Sequence, residues 1–214
     1  MSLEPPISDT APSGIRPGLA RLGTLLALFL ALVLPLLLSS RTTNYVADEQ
    51  AYYLPAVRAI AAHWPRLDLL ADSRSATAPG YPYFLATLSQ VTGTGLVTLR
   101  TINLLVALAL LVTLWQLFPP RQSPLALAAL LPLACSNFVV KSAAYVTTDN
   151  PALLTTTACL ALLLFNRRPA LALAGASVTG ALAVFARQIS IWVVAPLAWQ
   201  SIGSRRIWWR SLLC

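Results

Sequence analysis

Asp48 and Glu49 are adjacent carboxylates in the stretch NYVADEQAYYLPAVRAI, with Tyr52 and Tyr53 one helical turn further on, in a chain of which only 10% is charged. Adjacent acids just outside a long apolar run suit two jobs. They stabilise the start of the helix that follows, an effect of about 0.3–1 kcal/mol. Alternatively, one of them is a general base whose pKa is tuned by low-dielectric surroundings. The first job accounts for one acid and leaves the other, and the tyrosines, without a reason. Asp149, in AYVTTDNPALL, stands just before a helix expected to start near Pro151, where capping is the ordinary role. With Thr147 and Thr148 it would equally line a polar cavity. Arg187, in AVFARQISIWVV, lies between two apolar segments. An Arg at the bilayer centre costs about 2.5–3.5 kcal/mol, so a turn is expected at Arg187-Gln188, bringing both to the membrane surface. There the planar fork of donors suits a phosphate or pyrophosphate group; the competing roles are snorkelling to the interface or an ion pair with Asp149 or Glu49.

The elements that must hold these groups are apolar. The chain of 214 residues is 57% hydrophobic, with a mean hydropathy of +0.70, well above the ~45–50% of ordinary soluble domains. The apolar residues come in continuous runs, several near the ~20 residues that cross ~30 Å of hydrocarbon. Alternating ten-residue segments, the mark of a membrane barrel, are missing. The expected class is all-α: a polytopic helical membrane protein of about five or six spans. Residues 1–20 are expected to be a disordered cytoplasmic N-terminus, 21–204 a membrane domain and 205–214 a basic cytoplasmic tail. The spans fall at about 22–40, 96–118, 123–140, 151–165, 169–186 and 189–202. The loop 41–95 is expected to be a structured lid carrying interfacial helices. In it, EQAYYLPAVRAIAAHW places Tyr52, Ala56, Ala59 and Ile60 on one helical face, with Pro55 in the first turn. A second short helix is expected after ATAPGYPYF, where Pro79, Gly80 and Pro82 punctuate the chain. The first run is read as a retained span, since no small-x-small cleavage site follows it.

Sidedness follows from the cations. Arg16, Arg21, Arg121, Arg167, Arg168, Arg205, Arg206 and Arg210 all fall on one side if the N-terminus is cytoplasmic. Asp48, Glu49, Asp68, Asp72 and Asp149 then share the outer face. The net charge of +8 is scattered singly at the ends of apolar runs, which is a topological pattern and not a nucleic-acid surface. Fourteen of the fifteen cations are Arg; with the Ala, Leu and Pro richness this suggests a GC-rich bacterial coding sequence, and hence a bacterial inner membrane, or the endoplasmic reticulum membrane in a eukaryote. His63, the only histidine, suits a surface or interfacial role. The three cysteines have neither metal-ligand spacing nor a disulfide pattern. No metal site or required cofactor is read from the sequence, and a need for a divalent ion is left open. Nucleotide-binding loops, nucleophile elbows and zinc motifs are missing.

The segments YVADEQAYYLPAVRAIAAHW, TAPGYPYFLATL, LRTINLLVALALL, AYVTTDNPALL and FARQISIWVV, in that order, resemble the N-terminal half of the GT-C membrane glycosyltransferases. Within these, the resemblance is to the Alg-type dolichyl-phosphate-glucose-dependent alpha-1,2-glucosyltransferases. It runs from about Tyr45 to Val194; the Asp-Glu pair and the Phe-x-Arg-Gln-x-x-x-x-Trp pattern are its most specific parts.

The resemblance implies a periplasmic or lumenal site. Asp48 and Glu49 match the paired acids, one of them the catalytic base. Asp149 matches an acid before the fourth span, and Arg187-Gln188 match the Arg-Gln pair. Tyr52 and Tyr53 would join Asp149, Arg187 and Gln188 in binding substrate. The donor would be a polyprenyl- or dolichyl-phosphate sugar, and the acceptor a glycan or a lipid-linked hydroxyl. Family members carry more spans, so this chain would be a truncated product, a degenerate copy, or one part of a split enzyme whose second chain supplies the rest. Outside the family, the rival reading is a non-catalytic membrane subunit or a transporter fragment. A transporter would place acids inside the spans and not at their ends.

Overall fold

The computed structural model describes residues 15–39, 44–66, 78–165 and 168–202. Every regular element among them is a helix, as continuous apolar runs without alternation require. Helix α1 spans Ile15–Leu38. Its buried residues Leu25, Phe29, Val33 and Leu37 recur every fourth position and form one seam, while Leu28, Leu32, Leu34 and Leu38 stay exposed. Leucines on the outer side as well as the inner make this helix apolar all round, which suits a lipid surround. Because α1 begins at Ile15, residues 15–20 are helical, and the expected disordered segment 1–20 is too long; the rest of it lies outside the described residues, as do the tail 205–214 and Asp68 and Asp72.

The loop that follows contains α2 (Asn44–Asp48), one π-helical stretch (Glu49–Tyr53) and α3 (Leu54–His63). Pro55 sits in the first turn of α3, where its missing N–H is not needed. The expected face changes, however. Ala56, Val57 and Ile60 are buried, but Tyr52 is 48% exposed. The π stretch winds with i→i+5 bonds and so holds an extra residue per turn, which rotates Tyr52 off the buried face. Helix α4 (Gly80–Thr92) starts inside ATAPGYPYF and not after it, because Pro82 is accommodated in a first turn. It stops at Gly93, whose N–H still donates to the Ser89 carbonyl at 2.8 Å and whose φ of 84° then turns the chain out of the helix. Helices α3 and α4 pack on each other as a pair.

Helix α5 (Leu96–Gln116) and the segment Pro17–Leu38 of α1 are long and apolar enough to cross a membrane. The expected span 123–140 is instead two helices, α6 (Ser123–Ala134) and α7 (Asn137–Ala144), bent by 69°. Pro132 weakens the end of α6, and the Ser136 hydroxyl accepts the Val139 N–H at 3.2 Å to cap α7. Taken as one broken span, the pair is a third candidate for crossing. Helix α8 (Asp149–Phe165) begins two residues before Pro151, and its 17 residues rise about 26 Å, short of a full crossing. Helix α9 (Pro169–Ala186) packs along it.

The chain does turn at Arg187-Gln188. Arg187 is extended, and a 3-10 stretch, Gln188–Val193, leads into α10 (194–202), so the expected span 189–202 is a continuous α-helix only from 194. Side chains of Val193 and Leu197 lie against Gly180 of α9, which makes the return a hairpin.

Gly80 of α4 packs closely on the end of α9: a Cβ there would collide with the Phe185 ring and its carbonyl. Since the obstacle includes backbone, Gly80→Ala is expected to cost about 1–3 kcal/mol, seen as a lower thermal midpoint in detergent. Gly23→Ala, where a Cβ meets nothing within 4 Å, is the control and should be neutral or mildly stabilising.

Candidate functional site

The C-terminus of α1, the start of α5, the segment 145–148, the start of α8 and the end of α9 meet at one end of the bundle. Polar side chains bind them together. Glu49 is fully buried and Arg100, in the first turns of α5, is 4% exposed. Arg100 Nε donates to Glu49 Oε1 and Oε2 at 3.0 and 3.2 Å, and Nη2 donates to Oε2 at 2.5 Å. Its Nη1 donates to the carbonyls of Leu37 and Ser39 at 3.0 and 3.4 Å. The Val146 N–H donates to Glu49 Oε1 at 2.9 Å. The guanidinium carbon lies 4.9 Å from the centre of the Tyr145 ring, a cation–π contact. Glu49 therefore has its oxygens engaged and sealed away from solvent, while its neighbour Asp48 is exposed.

One turn along α5, Asn103 is also fully buried. Its Nδ2 donates to the carbonyls of Ser142 and, at 2.6 Å, Tyr145. Its Oδ1 accepts from the Tyr81 hydroxyl of α4 at 2.7 Å. Burial pushes the Tyr81 phenol up from its ordinary value of 10.0, so it stays a donor in the folded state. With the folded value above the unfolded one, Tyr81 contributes a stability that is whole below about pH 10 and falls as pH rises further. Alkaline unfolding of the parent and of Tyr81→Phe checks this: the stability difference between them should shrink above that pH.

Asp149 and Arg187 form an ion pair, and the Ser142 hydroxyl donates to Asp149 Oδ2 at 3.2 Å. The Asp149 side chain is 12% exposed and that of Arg187 38%, so the cation keeps a solvent-facing side. This is one of the competing roles anticipated for Arg187, and it ties the ends of α8 and α9. Asp149 lies within the first turn of its helix, where a carboxylate is favoured by the helix dipole. Thr147 and Thr148 are buried and do not line an open cavity.

Between α4, α5, α8 and α9 is an apolar groove of about 180 Å³, whose lining includes Gly80, Tyr81, Phe84, Pro151, Leu182 and Phe185. Neither Asp149 nor Arg187 lines it; the nearest lining residue in the chain is Ala186, which directly precedes Arg187. Tyr53 is partly buried against the α3–α4 core; Tyr52 and Gln188 are exposed.

Of the anticipated residues, Asp149 and Arg187 meet directly. Glu49 docks on Val146, three residues before Asp149, and thereby brings Asp48 to the same end. Arg100, Asn103 and Tyr81 had not been anticipated. The signal for Arg100 and Asn103 lay in LRTINLL, where the two, one turn apart, interrupt an apolar span; such residues face a partner and not lipid. Among the described residues no group of three or more His, Cys, Asp or Glu is placed to hold a metal ion. No protein-family model, no curated protein and no solved structure matches the chain.

Proposed function

We propose that the chain is a membrane glycosyltransferase module that takes a sugar from a polyprenyl-phosphate donor on the periplasmic or lumenal face. The observation that carries this reading is that Arg187, whose side chain is 38% exposed, directly follows Ala186, a lining residue of an apolar groove. A guanidinium beside a hydrocarbon-lined slot offers complementary surfaces to a phosphate and to the isoprenoid chain attached to it. The exposed Asp48, on the same end, is the base. It takes the proton from the acceptor hydroxyl as that oxygen attacks the anomeric carbon. The bond from that carbon to the phosphate oxygen breaks, its electron pair leaves with the polyprenyl phosphate, and the configuration inverts. Phosphate leaves without protonation, so a second carboxylic acid is not needed, unlike glycoside hydrolysis. Arg187 stabilises the charge on the departing phosphate.

In this reading the N-terminus is cytoplasmic. Helices α8 and α9 and the 189–202 return complete five or six membrane-embedded passes, and a second chain supplies further spans. The test is transfer of labelled glucose or mannose from its polyprenyl phosphate by the purified chain in proteoliposomes, alone and with co-expressed neighbouring membrane proteins. The expected result is transfer that falls about tenfold or more in Arg187→Ala, the loss of a charge-assisted contact to phosphate. Absence of transfer, together with no photocrosslinking of a polyprenyl phosphate to the groove, would overturn the reading in favour of a non-catalytic subunit.

A further inference from the structure

We infer that Glu49 and Arg100 are positioning residues: their ion pair is a clamp that sets the direction of Asp48. As a statement about catalysis this rests on the reading of Asp48 as the base, but its geometric content does not. Two side chains join four separate stretches of backbone. Arg100 holds the end of α1 through the Leu37 and Ser39 carbonyls, and Glu49 holds the segment before α8 through the Val146 N–H. The pair itself links the acid-bearing segment to α5.

Adjacent residues in a helical stretch point about 100° apart. Fixing Glu49 inward at the junction of α2 and the π stretch therefore turns Asp48 outward, as observed. The π stretch begins at Glu49 itself, so the clamp sits where the backbone changes its winding. Stability alone does not call for such a pair, because apolar side chains of similar volume commonly replace a buried ion pair without loss. A fork that satisfies two carbonyls and both carboxylate oxygens provides geometry that an apolar pair lacks.

That difference is the test. In a Cys135→Ser, Cys214→Ser background, spin labels at Asp48→Cys and Gln188→Cys report the separation of these two positions by pulsed electron resonance. The paired substitution Glu49→Leu with Arg100→Met takes from the Val146 N–H and the Leu37 carbonyl these partners and should lower the thermal midpoint, while in the folded protein the distance distribution broadens. In unlabelled protein carrying the same pair, kcat should fall about 10²-fold, the effect of roughly an ångström of misplacement, with KM little changed. Arg100→Lys, which keeps the charge and loses the fork, should broaden the distribution to a smaller degree and decides the matter if the paired variant does not fold. A distribution as narrow as the parent's in the folded variant would overturn the inference. Because the distances need no turnover, a parent that transfers no sugar counts against the proposed reaction and leaves the clamp to be judged by distance alone.

Discussion

Asp48→Asn is expected to lower transfer from a polyprenyl-phosphate sugar by about 10²–10⁴-fold, the range that a positioned general base supplies, with the thermal midpoint unchanged. Asn keeps the size and the polar character of the side chain, and Asp48 is exposed, so nothing buried loses a partner. Glu49→Gln should behave in the opposite way. It removes the charge facing a guanidinium that is 4% exposed. Breaking a buried pair from one side costs about 3–5 kcal/mol. The two neighbours are thus separated by readout: one variant is stable and inactive, the other loses stability first. Initial rates in proteoliposomes, normalised to folded protein, with melting curves on the same samples, make the comparison. Full transfer by Asp48→Asn would remove it as the base, and full stability of Glu49→Gln would remove the buried pair from the account of the fold.

That split was not readable from the sequence. Asp48 and Glu49 are equivalent as residue types, and only a partner distinguishes them. The partner, Arg100, lies 51 positions away, on a helix whose amphipathicity gives no direction because it is apolar nearly all round. What the sequence did carry was the local physics. Continuous apolar runs required helices, and the cost of an Arg in hydrocarbon required the turn that the chain makes at Arg187. Pro and Gly near residue 80 marked a helix boundary, though the helix begins at Gly80 itself and takes in Pro82. The misplaced features share a cause. The bend after Ala134 and the early start of α8 go with single hydrogen bonds, from the Val139 N–H to the Ser136 hydroxyl and from the Ala152 N–H to the Thr148 carbonyl. Such bonds leave no periodic trace. The spacing of Arg100 and Asn103 did leave one, and it was legible as two polar side chains facing the same way within an apolar helix.

Asn103→Leu is expected to be among the most destabilising substitutions of similar size in the chain. Leu fills the same space and is the better helix former, so any loss reports on hydrogen bonds alone. Three bonds disappear: from Nδ2 to the Ser142 and Tyr145 carbonyls, and from the Tyr81 hydroxyl to Oδ1. The Ser142 carbonyl retains the Thr147 hydroxyl at 3.4 Å; the Tyr145 carbonyl and the Tyr81 hydroxyl are left buried without these partners. At about 1–3 kcal/mol for each orphaned group, the loss is about 2–6 kcal/mol. Tyr81→Phe tests this apportioning, since it removes one of the two orphans in advance. The double variant should be less destabilised than the sum of the singles, by about 1–3 kcal/mol of coupling. Strict additivity would mean that the Tyr81 hydroxyl finds water or another acceptor when Asn103 is gone. In that case α4 would be held to the bundle by the packing of Gly80 on Phe185 and not by the Asn103 bond, and the apolar groove would keep its wall in the absence of that bond.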